Sequence, residues 1–168
     1  MEIREEAASD VDGVRAVVLA AFAPRTQEAA LVDLLRERGK ASVSLVALDG
    51  AVIGHVLFSP VTIQSGGQRR GVGMAPVSVL PAHQAHGIGS ALIRRGLEAC
   101  RERGFDFAVV LGNPRYYARF GFDTASKYGL ANEYGLDEPF RVQALRAGGL
   151  DGARGLVRYA PEFAETET

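Results

Sequence analysis

The chain has 168 residues, of which 47% are apolar and 23% charged, and its formal net charge is −1. That length suits one domain with a real core, and the composition excludes long disordered segments. A charge so near zero gives no general attraction to nucleic acid or to an anionic membrane, so any anion site must be built locally.

Ile3 to Ala7 reads as a short strand, and Ser9, with Asp12 three residues on, is the predicted cap of a helix running to about Phe22. Thr26 caps a second helix ending near Gly39, with Ala30, Leu31, Leu34 and Leu35 on its apolar side. Val43 to Leu48 and Ala51 to Ile63 are β-rich runs. Asp49-Gly50 between them is a strong hairpin turn, because both residues tolerate positive φ. Ser65-Gly66-Gly67 makes the next turn and leads into a strand from about Arg69 to Leu80, giving an antiparallel meander of three strands. Pro76 lies inside the third of these and has no N–H for a ladder, which predicts a bulge or a splayed edge.

From Val77 to Gly89 a β-type run breaks at Pro81 and meets Gly87 and Gly89 at the opening of a helix. Amides at a helix start have no partner within the helix, and the helix dipole adds partial positive charge, so the junction suits an anion such as a pyrophosphate. It is not a dinucleotide fingerprint, since Leu92 stands where the third glycine belongs. Nor is it a Walker loop, since Ser90-Ala91 follows Gly89 without a lysine. The same two glycines would also serve a tight strand-to-helix turn with no ligand.

Helix three is predicted from Gly87 to about Arg103. Ile88, Leu92, Ile93, Gly96, Leu97, Ala99 and Cys100 fall on one half of its wheel, and Arg94, Arg95, Glu98, Arg101 and Glu102 on the other. The sole cysteine, Cys100, is thus at the centre of a buried face, as a small core hydrophobe rather than a nucleophile. Phe107 to Leu111 is the unbroken apolar run of a central strand, and Pro114 starts a short helix. Phe140 to Leu145 and Leu156 to Tyr159 are the closing strands, and no element is assigned between Phe122 and Pro139. The predicted order is β-α-α-β-β-β-α-β-α-β-β, in a single domain over residues 1–164 with a short flexible tail at 165–168.

The stretch Ala16 to Pro24 is well short of the ~20 residues of a membrane span. Cys100 has no disulfide partner, and Met1-Glu2-Ile3-Arg4-Glu5-Glu6 lacks the regions of a secretory leader, so a cytoplasmic location is expected. His83 and His86 have no metal-ligand partner at a convincing spacing, and no metal site is expected.

Gln84-x-x-Gly87-x-Gly89 resembles the Arg/Gln-x-x-Gly-x-Gly/Ala pattern by which the GNAT acetyltransferase superfamily holds the pyrophosphate of acetyl-CoA. Tyr117-Ala118-Arg119-Phe120-Gly121-Phe122 resembles that family's Tyr-x-x-x-Gly-Phe signature. Gly73-Met74-Ala75-Pro76-Val77, the Leu111-Gly112-Asn113-Pro114 stretch and Arg119-Phe120-Gly121-Phe122 are similar to the YhbS-like branch of predicted N-acetyltransferases. The resemblance implies a mixed α/β fold of the GNAT type, with a central, mostly antiparallel sheet splayed between strands four and five and flanked by helices. It implies an acetyl-CoA-dependent N-acetyltransferase that moves the acetyl group directly to a primary amine in a ternary complex, with no metal. A different class is an inactive acyl-CoA-binding sensor of the same fold. The acceptor would be a small-molecule or peptide amine; neither nucleic acid nor membrane is an expected partner, and oligomeric state is open, a homodimer included.

Residue by residue, the resemblance places the pantetheine arm along Val77, Ser78 and Val79, with the Val79 N–H near the thioester carbonyl. Pyrophosphate would lie on Gln84, Ala85, His86, Gly87, Ile88, Gly89 and Ser90, and Asn113 could bond the pantetheine amide. Tyr117 takes the place of the tyrosine that protonates the coenzyme A thiolate. Its ordinary pKa near 10, against about 8.5 for a thiol, allows it to hold that proton at neutral pH. Glu28, in the first turn of the second helix, is the candidate base, and an ordinary surface glutamate would look the same. His55 shares a strand face with Ile53 and Leu57 and reads as a core histidine, while Glu133, Asp137 and Glu138 could form an acidic rim for a cationic acceptor.

Overall fold

A computed structural model describes residues 1–64 and 68–167; the Ser65-Gly66-Gly67 turn lies outside the described residues. The strands are β1 (Glu2–Glu5), β2 (Val43–Asp49), β3 (Ala51–Ile63), β4 (Gly71–Val79), β5 (Phe107–Leu111), β6 (Asp123–Thr124), β7 (Leu130–Asn132), β8 (Phe140–Ala144) and β9 (Gly155–Arg158). The helices are α1 (Val11–Phe22), α2 (Gln27–Glu37), α3 (Ile88–Glu102), α4 (Pro114–Ala118) and α5 (Glu162–Glu165). The chain divides into two compact units. One comprises Met1–Ser59, Ala75–Gly96 and Pro161–Thr168, the other Pro60–Met74 and Leu97–Ala160.

In the first unit, β1 and β2 pair antiparallel, and β2 turns into β3 through Gly50 at φ +76°. Buried Val14, Val17 and Val18 from α1 and Leu31, Val32 and Leu35 from α2 join Val46, Val56 and Phe58 in the apolar core. Ser9 does not cap α1. It lies in a 3₁₀ turn, and the residue preceding α1 is Asp10, whose carboxylate is already taken by Arg4 at 2.7 and 3.0 Å and by the Ala7 N–H at 2.7 Å. The Asp10 carboxylate is spent on the preceding 3₁₀ turn and on Arg4, six residues back, and makes no cap for α1. Thr26 does precede α2, but its side chain makes no cap hydrogen bond. At the C-terminal end, α5 is tied down by Glu162, whose buried carboxylate accepts from Lys40 at 2.8 Å and Arg38 at 3.2 Å.

A buried polar chain crosses this unit. Ser44 donates its single hydroxyl proton to Glu6 Oε1 at 2.9 Å, so it accepts from His55 Nε2 at 2.8 Å, which assigns the proton of neutral His55 to Nε2. Arg36 completes the chain, donating to Glu6 Oε2 at 2.6 Å. His55 is fully buried. Burial pushes its pKa from 6.5 down to about 4, Glu6 opposing and Arg36 adding to the shift.

In the second unit, β5 is the central strand, buried from Phe107 to Val110. It pairs antiparallel with β8 along its whole length, and β8 carries β6 on its other edge. β7 runs parallel to β9, which pairs antiparallel with Thr62 and Ile63 at the end of β3. On its remaining side β5 pairs in parallel with β4 only through Gly71, Val72 and Gly73, opposite Phe107, Ala108 and Val109. That register ends before Pro76, although β4 continues to Val79 and β5 to Leu111. The glycines in this ladder are a packing requirement. A Cβ on Gly71 would lie 2.2 Å from the Phe107 ring, and one on Gly73 2.5 Å from the Tyr159 ring.

Gly96→Ala sets two effects of opposite sign against each other. Replacing a helical glycine gains about 1 kcal/mol in propensity, but the new Cβ would sit 2.3 Å from the buried Phe58 ring, and overpacking costs ~1–3 kcal/mol. The expected outcome is net destabilisation, read as a lower denaturant midpoint; a higher midpoint would show that Phe58 moves freely.

His55 generates a pH dependence with a definite sign. The unfolded chain takes up a proton at His55 below 6.5 and the folded chain only near 4, so stability rises between those values and is complete above 6.5. The full span corresponds to about 3 kcal/mol. Asp10, Asp123 and Glu162 are lowered chiefly by hydrogen bonds from Arg4, the Thr124 amide and Lys40, so their contributions vary only at and below the ordinary carboxylate range. Equilibrium unfolding against pH is expected to slope between about 4.5 and 6.5 in wild type and to flatten there in His55→Gln; the same slope in both would contradict a neutral buried His55.

Candidate functional site

At the end of β4 the Leu80 N–H bonds the Ile53 carbonyl at 2.9 Å, and a 3₁₀ turn over Pro81–His83 leads to the head of α3. Two residues in this passage have left-handed backbone, Ala85 at φ +65° and Gly87 at φ +80°. Both were expected in the pyrophosphate turn, but only at Gly87 did the residue type itself point to a positive φ. Gly87 is exposed, and a Cβ added to it would meet nothing within 4 Å, so open space lies before the first turn of α3. The first helical hydrogen bond runs from Ala91 N–H to the Gly87 carbonyl at 3.0 Å, so the amides just after Gly87 head a helix of 15 residues. A left-handed turn, exposed backbone and an oriented helix dipole fit a pyrophosphate without a basic side chain.

The side chains around the turn hold its backbone. Gln84 Nε2 donates to the Val79 carbonyl at 3.0 Å, tying the loop back to β4, and His86 Nδ1 lies 3.3 Å from the His83 carbonyl. Ser78 is buried, and its Oγ has no hydrogen-bond partner among the described residues. Val77 and Val79 are half-buried. Gly54 lets β3 approach here, because a Cβ there would lie 3.0 Å from Leu92, 3.2 Å from Ile88 and 3.3 Å from the Ser78 carbonyl.

Glu28 stands in the first turn of α2, where Arg25 binds its Oε2. Its Oε1 is buried and has no hydrogen-bond partner among the described residues.

Asn113 and Tyr117 belong to the second unit. Asn113 caps α4, its Oδ1 accepting the Arg115 N–H at 2.9 Å and the Tyr116 N–H at 3.2 Å, so only its NH₂ is left to meet a ligand. The Tyr117 ring covers the backbone after β5: a Cβ on Gly112 would lie 2.3 Å from it. Tyr116 and Phe122 meet this ring edge-on at 5.0 and 5.9 Å. Burial, with a smaller effect from Tyr116, raises the Tyr117 pKa above 10, so the phenol keeps its proton at neutral pH.

Of the three acidic residues expected at a rim, Glu133 is committed, accepting the Tyr159 N–H at 2.9 Å and pairing with Arg158 at 3.7 Å. Glu138 instead faces a cleft that Arg115 also lines, and nothing in the residue pattern singled out Arg115. Cys100 is fully buried, and burial pushes its thiol up to about 12, far from a thiolate nucleophile. Among the described residues no group of three His, Cys, Asp or Glu side chains could hold a metal ion, and no helix is long and apolar enough to cross a membrane.

A β4–β5 ladder that stops short, followed by a glycine turn into a long helix, is the arrangement expected from the resemblance to the GNAT fold. The acetyltransferase (GNAT) domain family matches residues 2–125, and the chain belongs to that family. It is 39% identical over 166 residues to the uncharacterized N-acetyltransferase YhbS of Escherichia coli K12, covering 97% of this chain and 98% of the relative. The crystal structure of Escherichia coli YhbS in complex with CoA matches with a TM-score of 0.90 at 38% identity, over 97% of this chain and 91% of that one. A GNAT acetyltransferase from Brucella melitensis in complex with acetyl-CoA matches with a TM-score of 0.81 at 38% identity, over 96% and 97%.

Proposed function

We propose that the chain is an acetyl-CoA-dependent N-acetyltransferase that moves the acetyl group to a primary amine by direct transfer. The turn over residues 84–90, with left-handed Ala85 and Gly87 at the head of α3, carries this reading. Two relatives at 38% identity are described in complex with CoA and with acetyl-CoA, which supports the same cofactor here.

In this reading the amides of residues 84–90 hold the pyrophosphate and the backbone of Val77, Ser78 and Val79 pairs with the pantetheine arm, as does the Asn113 NH₂. The Val79 N–H receives the negative charge that develops on the thioester oxygen. An alkylamine with pKa near 10.4 is protonated at neutral pH and must lose a proton before it attacks. The unengaged Oε1 of Glu28 accepts that proton. As the C–S bond breaks, Tyr117 gives its proton to the departing thiolate, and the second amine proton restores the phenol. Cys100 takes no part, since its buried thiol is protonated.

Calorimetric titration with acetyl-CoA and with dephosphorylated pantetheine tests the cradle. Wild type is expected to bind acetyl-CoA much more tightly than pantetheine, and Gly87→Asp, which puts negative charge and bulk into the turn, to lose that binding while remaining folded. Folded wild type that binds neither would refute the assignment.

Tyr117→Phe is expected to bind acetyl-CoA normally and to lower kcat on the order of 10²-fold. An unchanged kcat would remove Tyr117 from the proton transfer. Normal acetyl-CoA binding by wild type without turnover on any amine of a broad panel would favour the sensor reading.

A further inference from the structure

The second unit contains a cleft of about 710 Å³ lined by Gly112, Asn113, Pro114, Arg115, Glu138 and Pro139. That volume lies within the range of small-molecule sites. Its two charged side chains are of opposite sign, and both are exposed. Among the described residues neither the Arg115 guanidinium nor the Glu138 carboxylate has a hydrogen-bond or ion-pair partner, so neither is committed to holding the fold.

Both walls are fixed. The Gly112 N–H donates to the Pro139 carbonyl at 2.9 Å, joining one wall to the other. Asn113 Oδ1 holds the Arg115 backbone through its amide at 2.9 Å. The Glu138 carbonyl accepts from Arg141 at 3.1 Å, and buried Arg141 is itself anchored on Thr124 Oγ1 at 3.1 Å. The charged ends of Arg115 and Glu138, with the Asn113 NH₂ beside them, are left to choose a partner. Gly112, which lines the cleft, is also the residue against which the Tyr117 ring packs.

We propose that this cleft takes the acceptor, and that its ligand is a zwitterion of the free amino-acid type, its carboxylate on Arg115 and its ammonium drawn to Glu138 on binding, before the amine loses its proton and attacks. An arginine takes a carboxylate through two parallel N–H bonds, and a carboxylate opposite it attracts the ammonium. A simple polyamine has no group for Arg115, and a dicarboxylate has none for Glu138. The inference rests on the acetyltransferase reading for its chemistry but not for its binding geometry.

The test is calorimetric titration of the CoA-loaded protein with free L-amino acids, their C-terminal amides and spermidine. Acetyl transfer from acetyl-CoA to the same compounds is followed by thiol release. Free amino acids are expected to bind and to be acetylated, with the amides weaker by about tenfold or more. Arg115→Gln should bring the amino acids down to the level of the amides while leaving the amides and acetyl-CoA binding unchanged, and Glu138→Gln should weaken both.

CoA-loaded wild type that prefers spermidine, treats amino acids and their amides alike, or binds none of them would overturn the proposal without touching the acetyl-CoA assignment. So would an Arg115→Gln protein that loses acetyl-CoA affinity instead, because Arg115 would then serve a cofactor phosphate. Should wild type fail to bind acetyl-CoA, the acetyltransferase reading falls. Titration of the cofactor-free protein with the same amino acids and amides then decides the cleft by the same preference.

Discussion

The head of α3 depends on one constraint, the passage of the backbone from β4 to α3 through left-handed residues. An L-residue loses roughly 1–2 kcal/mol in that region, and Ala85 is held there at φ +65° while Gly87 takes the same region freely. The cost is carried by the surroundings. Gln84 is bonded to the Val79 carbonyl, Leu80 to Ile53, and Gly54 admits the close approach of Ile88, Leu92 and Ser78. A turn fixed from so many sides keeps the amides at the head of α3 oriented before any anion arrives, which is the condition for binding through backbone alone.

The chain's charges divide by role. Most carboxylates in the interior are matched: Glu6 by Arg36 and Ser44, Asp10 by Arg4, Asp106 by Arg146 and the Arg70 amide, Glu162 by Lys40 and Arg38. Such pairs tie separate segments together, and each would leave a costly unpaired charge if one partner were removed. Glu28 Oε1, Arg115 and Glu138 stand outside that pattern. Charge that folding does not use is available for ligands, and it is on these groups that the proposals for base and acceptor rest.

Much of the fold was legible because its signals are local. Asp49-Gly50 marked the hairpin, the wheel of α3 separated Leu92 and Cys100 from Arg94 and Glu98, and Asn113-Pro114 marked the start of α4. What escaped is set by distant partners. Ser9 is an exception of short range: it falls inside a 3₁₀ turn over Ala8–Asp10, held by Asp10 on the Ala7 amide and Arg4, so α1 begins two residues later. Between Phe122 and Pro139 the strands are only two and three residues long, too short for a period, and their supports come from Arg141 and from Asn132, whose Oδ1 bonds the Tyr134 and Leu136 amides. In the candidate site, the glycines and Tyr117 were readable through family resemblance. The left-handed φ of Ala85 and the unpaired guanidinium of Arg115 were not, since both exist only in three dimensions.

In the proposed mechanism, backbone amides between Gln84 and the first turn of α3 bind the phosphates of acetyl-CoA. The most direct measurement is an amide chemical-shift titration of ¹⁵N-labelled protein with CoA, with dephosphorylated pantetheine as the control. The expected result is that CoA shifts the Gly87, Ile88 and Gly89 amides most strongly, moving their protons downfield, and that pantetheine leaves them in place. Equal shifts with both compounds, or CoA-induced changes that bypass these amides, would contradict it.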